Sequence, residues 1–476
     1  MDIRCNKLQG QIPEAIRYLK NLTVLILGYN DFTGTIPEWI GDLPYLTVLN
    51  LVSNQLTGSI PSKINSNLSS SLIFLSFGSN ELTGTIPDWI GDLHVLSYLN
   101  LSINHLNGSI PTSIGELSQL QILHLDNNQF SGILPSSFSR LISISQLCLS
   151  FNFLVGDITD IFDDFQNLSH LILNDNLFDG PLPISISRLY NLNRIFLQNN
   201  VLSGNLESVF NGNHLNLEII QLSNNQFTGE LPEQLFLSTN LISMSAVSNC
   251  FHGTISSSIC LNKNLETLAL DGLVCASSCQ IKILPGISSA YVSSNSITGG
   301  IPPCLLSMPQ LKLLHISGNG LTGTLPSINK AWSTKLRNLS VSHNFLTGTI
   351  SNAIQSNHWT NLDLSYNRLS GTLLSSFNST SNKSSLTSSN NRLSGFIPFN
   401  IQYMINIDIL EGNNFDCKFD RSDLPSYDKD KVFYECGSNR LNYACILWQC
   451  LLLILNTNSI YHVVFQRKVN RAFNNF

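Results

Sequence analysis

One asparagine recurs through this chain about every two dozen residues: Asn6, Asn30, Asn54, Asn80, Asn104, Asn128, Asn152, Asn176, Asn200, Asn225 and Asn249, then Asn295, Asn319, Asn344, Asn367, Asn391 and Asn413. Leu273 stands in the corresponding place of one defective repeat between Asn249 and Asn295. Of the seventeen steps, eleven are 24 residues long and the others lie between 22 and 26. Self-similar units of this size bury little alone, so they stack and share one core. The length of 476 residues therefore signals one long solenoid and not two or three ordinary domains.

Each unit repeats the same apolar grammar. Around Asn128, Leu120, Leu123 and Leu125 precede the anchor, and Phe130, Gly132, Leu134 and Pro135 follow it. Around Asn104 the same offsets hold Leu96, Leu99, Leu101, Leu106, Gly108, Ile110 and Pro111. The Leu-x-Leu pair reads as a short strand with its leucines turned inward, and neighbouring strands pair in parallel. The anchor itself is a core and turn residue. A carboxamide offers an acceptor and two donors, enough to satisfy backbone groups that the turn leaves unpaired above and below it. The predicted fold is an α/β solenoid, a right-handed superhelix with a parallel sheet on its concave face and irregular or 3-10 segments on its convex side.

Composition narrows the function. Charged residues make up 12 % and the formal net charge is −6, which argues against a nucleic-acid surface. No CxxC pair or Cys/His cluster has metal spacing, and no cofactor motif is present. The acids expected on concave strands, Asp126, Asp175, Asp271 and Asp363, lie on turns at least two apart, unlike a glycosidase pair. No nucleophile motif such as GxSxG occurs, so the chain reads as a binding scaffold and not an enzyme.

The string LxxLxLxxNxLxGxIP resembles the plant-specific class of leucine-rich repeats, with GTIP, GSIP or close variants at Gly34, Gly58, Gly84, Gly108, Gly299 and Gly348. That class forms the ectodomains of receptor-like kinases and receptor-like proteins, and the polygalacturonase-inhibiting proteins. The resemblance covers about residues 1–415. The first repeat begins without the usual cysteine-bearing cap and no kinase signature follows, as in a truncated receptor. The opening residues MDIRCNKLQG have no basic start followed by an apolar run and so do not read as a signal peptide. The stretch LVCASSC, Leu273 to Cys279, breaks the grammar by putting Cys275 and Cys279 where Leu and Ile belong.

Residues 416–443 look like the C-terminal cap of such a domain, with Cys417 and Cys436 read as a disulfide over the last apolar turn; two buried free thiols are the alternative. Cys250, Cys260, Cys275, Cys279 and Cys304 cluster near the defective repeat without a legible connectivity. Asn-x-Ser/Thr sequons stand at Asn21, Asn67, Asn100, Asn107, Asn167, Asn338, Asn378 and Asn382, candidate glycosylation sites of an exported chain. Residues 444–465 form an uncharged, largely apolar run, followed by the short basic tail 466–476; this is the candidate membrane span. A scrambled or peripheral tail is its alternative.

Residues six, four and two places before each anchor are free of core duty and project onto the concave face. The first column runs Val24, Val48, Phe74, Tyr98, Ile122, Gln146, His170, Arg194; the second includes His124, Ile172, Phe196, Tyr291 and His315. The candidate ligand-binding residues are Phe74, Tyr98, Ile122, His124, His170, Arg194, Phe196 and Tyr291. An apolar, aromatic stripe of about 20 Å ending in His170 and Arg194 matches an extended peptide of about six residues. The resemblance implies a cell-surface receptor-like protein that captures a peptide, glycan or protein ligand and signals through a co-receptor kinase. The alternatives are a secreted inhibitor of a microbial wall hydrolase and a truncated, non-functional fragment.

Overall fold

The computed structural model describes residues 1–63, 70–272, 295–327, 335–377, 384–418 and 420–437. They fall in two compact units, Met1–Phe345 and Leu346–Phe476.

In the first unit, three-residue strands pair in parallel from Val24–Ile26 through Tyr98–Asn100, Ile122–His124 and His170–Ile172 to Asn338–Ser340. Their central residues, such as Leu99, Leu123 and Leu171, are fully buried, while the flanking side chains stay half-exposed. The period-two alternation of the strand produces this split.

A second parallel sheet was not legible in advance. It is built from residues just after each anchor, in the order Gln9–Gly10, Asp31–Thr35, Gln55–Ser59, Glu81–Gly84, His105–Ser109, Gln129–Gly132, Phe153–Asp157 and Leu177–Asp179. The N-x-L-x-G string alternates here as well: Leu106 is buried between exposed His105 and Asn107. Gly108 has φ +76°, and a Cβ there would lie 2.8 Å from Thr85 Cγ2, so stacking and backbone both demand glycine. The Pro after Ile or Leu starts the return: Pro111, at φ −70°, opens the 3-10 helix Thr112–Glu116, which buries Ile114.

The anchors bond as a ladder. Asn128 is 7 % exposed. Its Nδ2 donates to Leu125 O and Asp126 O in its own turn and to Leu101 O in the preceding one, at 3.2, 3.3 and 3.0 Å. Its Oδ1 accepts from Leu106 N at 3.0 Å. The reach is thus to its own and the preceding turn, and the turn above is served by Asn152, which bonds Leu125 O.

Leu273 does not mark a repeat of its own. The strand before it, Thr267–Ala269, pairs directly with Leu313–His315. Asn295 fills its anchor place, donating to Leu270 O, Asp271 O and Ala246 O and accepting from Phe251 N. Asn249 to Asn295 is therefore one turn where the spacing counts two, with 273–294 inserted between strand and anchor. Tyr291, Leu273, Cys275 and Cys279 lie outside the described residues. Cys260 is bonded to Cys304, with Cα atoms 5.9 Å apart, and Cys250 is also disulfide-bonded.

The second unit repeats the pattern. Asn361–Asp363, Ser385–Thr387 and Asn406–Asp408 pair in parallel, as do Thr347–Thr349, Arg368–Thr372, Arg392–Phe396 and Asn414–Asp416. Asn413, where the sequence pattern fades, still anchors its turn, donating to Ser388 O and Ile409 O and accepting from Leu393 N. The segment beyond it covers the last turn. Tyr434 Oη accepts from Phe415 N at 2.6 Å, Asp428 Oδ2 accepts from Ile409 N and Leu410 N, and Cys417 is joined to Cys436. Asp408 and Asp430 converge with Asp428 within 4.8 Å, and Lys429 Nζ lies 3.0 Å from Asp408.

Replacing Asn128 by Leu should cost about 1–3 kcal/mol, because Leu106 N and three carbonyls lose a buried partner. A thermal melt matching wild type would show that the ladder bears no stability. Asp428 is 4 % exposed, and burial raises its carboxyl above its usual value against the pull of three backbone donors. The folded state thus favours the protonated acid, and the cap loses stability as pH rises from about 3.8 through the folded value. Asp428→Asn keeps an acceptor and should flatten this dependence relative to wild type in melts taken across that range; parallel curves would refute the assignment.

Candidate functional site: the concave face

Sheet register turns the two concave columns into two rows. Phe74, Tyr98, Ile122, Gln146, His170 and Arg194 stand side by side on successive strands. His124, Cys148, Ile172 and Phe196 form the second row. Phe74 and Tyr98 stack, with ring centroids 4.2 Å apart and planes 5° from parallel. The Tyr98 ring meets His124 edge-on at 6.1 Å. His124 Nε2 is buried without a hydrogen-bond partner.

Gln146 interrupts the apolar first row, and Cys148, which sequence reasoning passed over, carries apolar character across in the second. Burial first, then the Asp126 charge, push its thiol up to about 12, so it packs as a small neutral group. Its offset from Asn152, four places before the anchor, could have placed it there.

The row ends in a polar depression of about 590 Å³ around Ser169, His170, Asn193, Arg194, Asn216 and Glu218. Ser169 Oγ lies 2.8 Å from His170 Nδ1. Burial and the Arg194 charge lower the His170 pKa while Glu218 pulls the other way, which leaves the ring neutral at pH 7. Arg194 is exposed and makes no ion pair among the described residues. A bidentate cation thus stands ready at the edge of an apolar row.

The concave acids are engaged locally. Asp175 accepts from Asn174 and Asn199, and Asp271 from Ser317 N at 2.6 Å with His315 at 3.7 Å. In the second unit, Asp363 accepts from Ser365 and Thr387. Of the sequons, Asn21, Asn107 and Asn167 are exposed, while Asn67, Asn378 and Asn382 lie outside the described residues. Asn100 and Asn338 sit half-buried on concave strands, and Asn100 Oδ1 accepts from its own sequon serine, Ser102 N and Oγ, at 2.9 and 2.8 Å. The run 444–465 lies outside the described residues; among those described, no helix is long and apolar enough to cross a membrane.

Leucine-rich-repeat family models match residues 1–56 and again 71–93, 95–117, 119–141, 216–238, 310–330, 335–357 and 358–380. Receptor-like protein 54 of Arabidopsis thaliana is 31 % identical over 132 residues, which are 28 % of this chain and only 16 % of that protein. The solved ectodomain of the Arabidopsis thaliana receptor kinase GASSHO1/SCHENGEN3, in complex with CASPARIAN STRIP INTEGRITY FACTOR 2, is 32 % identical with a TM-score of 0.71. The match covers 87 % of this chain and 50 % of that one. The Arabidopsis receptor kinase HAESA, solved with the peptide hormone IDA and the co-receptor SERK1, is 28 % identical with a TM-score of 0.66 over 92 % of this chain and 77 % of its own. The anchor ladder, the paired parallel sheets and these likenesses make the chain a leucine-rich-repeat protein with the fold of a plant receptor ectodomain.

Proposed function

We propose that this chain is the ligand-capturing ectodomain of a receptor-like protein, binding an extended peptide along the concave face and signalling through a co-receptor kinase. The carrying observation is the unpaired Arg194 at the end of the Phe74–Tyr98 row, beside a neutral His170. Apolar side chains of a peptide would lie along Phe74, Tyr98, Ile122, Ile172 and Phe196, with a carboxylate or sulfate at Arg194. Likeness to receptors solved with peptides supports a peptide over a glycan or a hydrolase. Residues 444–465 would anchor the protein at the cell surface, and membrane fractionation of the full chain separates this from secretion to the wall.

A synthetic hexapeptide library with free and amidated C-termini tests the site. Wild type should select free carboxylates, and Arg194→Ala should abolish that preference. Phe74→Ala and Tyr98→Ala should each weaken binding about 10- to 30-fold without shifting the melt. Equal binding by all three variants would end the reading. In plant-expressed protein, peptide mapping should find glycans at Asn21, Asn107 and Asn167 and none at Asn100, whose amide is engaged on the binding face. A fully occupied Asn100 would contradict a peptide path beside Tyr98.

A further inference from the structure

The second sheet of the first unit carries an apolar face that its fold does not need. Outward positions on its strands are polar almost throughout: Gln55, Thr57 and Ser59, Glu81 and Thr83, His105, Asn107 and Ser109, Gln129 and Ser131. On the next two strands they become Phe153, Val155 and Leu177, and Ile133 joins them from the turn after Gln129–Gly132. Val155 is the register partner of Leu177, Phe153 that of Ser131, and Ile133 Cγ2 would lie 3.1 Å from a Cβ at Gly156. Ile133 is 66 % exposed, Phe153 56 % and Leu177 49 %.

Phe151, two residues before Phe153, is a further exposed aromatic. It holds a positive φ, +53°, as does the residue before the anchor in most turns, Tyr29, Ile103 and Tyr366 among them, and it is half-exposed. A bulky residue in the left-handed region costs stability that asparagine largely avoids. The strands Phe153–Asp157 and Leu177–Asp179 carry no sequon; Asn107, on the same sheet, is the register partner of Gln129 at the polar rim. Five side chains about half exposed make a patch on the order of 400 Å², within the size range that on monomers is often functional.

At one end of the patch stands a charge signature. Asp157 and Asp179 are register partners, and both are exposed. Asp157 Oδ1 packs onto Gly180, 2.1 Å from where a Cβ would sit. Partial burial, a hydrogen bond with Asp157 and its charge raise the Asp179 carboxyl above its usual value. Neither acid has an ion-pair partner among the described residues. No Lys or Arg faces outward on these strands, so a second copy of the chain would bring no cation from this face.

We propose that Ile133, Phe151, Phe153, Val155 and Leu177, with Asp157 and Asp179, form a docking surface for a protein partner that presents apolar side chains and one Lys or Arg at their edge. The patch is about half of the ~800 Å² that each side of a standard interface buries, so it is the apolar centre, with Gln129, Ser131 and their neighbours as a polar rim. The surface is separate from the concave face and does not rest on peptide capture there.

The test is a random dodecapeptide display library selected in parallel on the full chain and on a variant bearing Ile133→Ser, Phe153→Gln, Val155→Thr and Leu177→Gln, residue types that neighbouring strands already carry. Wild type should enrich apolar peptides containing Lys or Arg at least tenfold over the variant, with both proteins melting alike. Asp157→Asn with Asp179→Asn should keep the apolar selection and lose the basic one, and Tyr98→Ala should change neither. Identical peptides from wild type and the fourfold variant would overturn the proposal, as would enrichment without basic residues. Sedimentation showing a dimer that the fourfold variant dissolves would overturn it too, because the occupant would then be a second copy.

Discussion

Everything in this protein hangs on a carboxamide taken out of water and fully bonded. At most turns an asparagine, as Asn128 does, ties three carbonyls and one N–H, contributed by its own and the preceding repeat. A buried unpaired polar group costs about 1–3 kcal/mol, while an apolar core position tolerates exchange among side chains of suitable volume. The strand leucines accordingly vary, with Met244, Ala246 and Phe77 serving in their places, all buried. The asparagine column stays constant because no other side chain offers that donor and acceptor set at that length.

This explains which parts of the molecule the sequence discloses. The concave strands, the buried leucines, the anchors and the proline-led return follow from period and offset, since each residue there answers a packing or bonding demand repeated in every turn. The second sheet was hidden in plain view: Leu106, Phe130 and Leu154 alternate with exposed neighbours, but four or five residues are too few to separate a strand from a turn without knowing what lies beside them. The turn count went wrong at Leu273 because spacing alone assumes that every 24 residues return to the sheet. There the hydrogen bonds of Asn295, and not its distance along the chain, define the turn.

Binding surfaces are less legible for a physical reason. Positions that face solvent have no core constraint, so their chemistry carries no repeat signal and must be read by adjacency. Offsets do recover Phe74 beside Tyr98, because register on a parallel sheet is regular. They do not show that Cys148 continues the apolar row, that Glu218 enters the depression at Arg194, or that Val155 meets Leu177. Those facts depend on strand stagger and on which side chains lean together.

The bonds of Asn295 carry a consequence for how such a protein changes over time. Because the anchor is recognised by place and not by count, 22 residues stand between Gly272 and Asn295 while strand pairing continues across them. Joining two fixed points through a flexible chain of that length costs on the order of 3 kcal/mol, and doubling the length adds only about 0.6. The Cys260–Cys304 bond joins the turns on either side of that junction and restrains the unfolded chain across it. The junction before an anchor is thus a splice point at which new sequence enters without disturbing the scaffold, and it opens at the rim where the concave sheet ends. A lineage of such proteins could acquire a new specificity there by insertion, leaving every leucine and every asparagine of the ladder untouched.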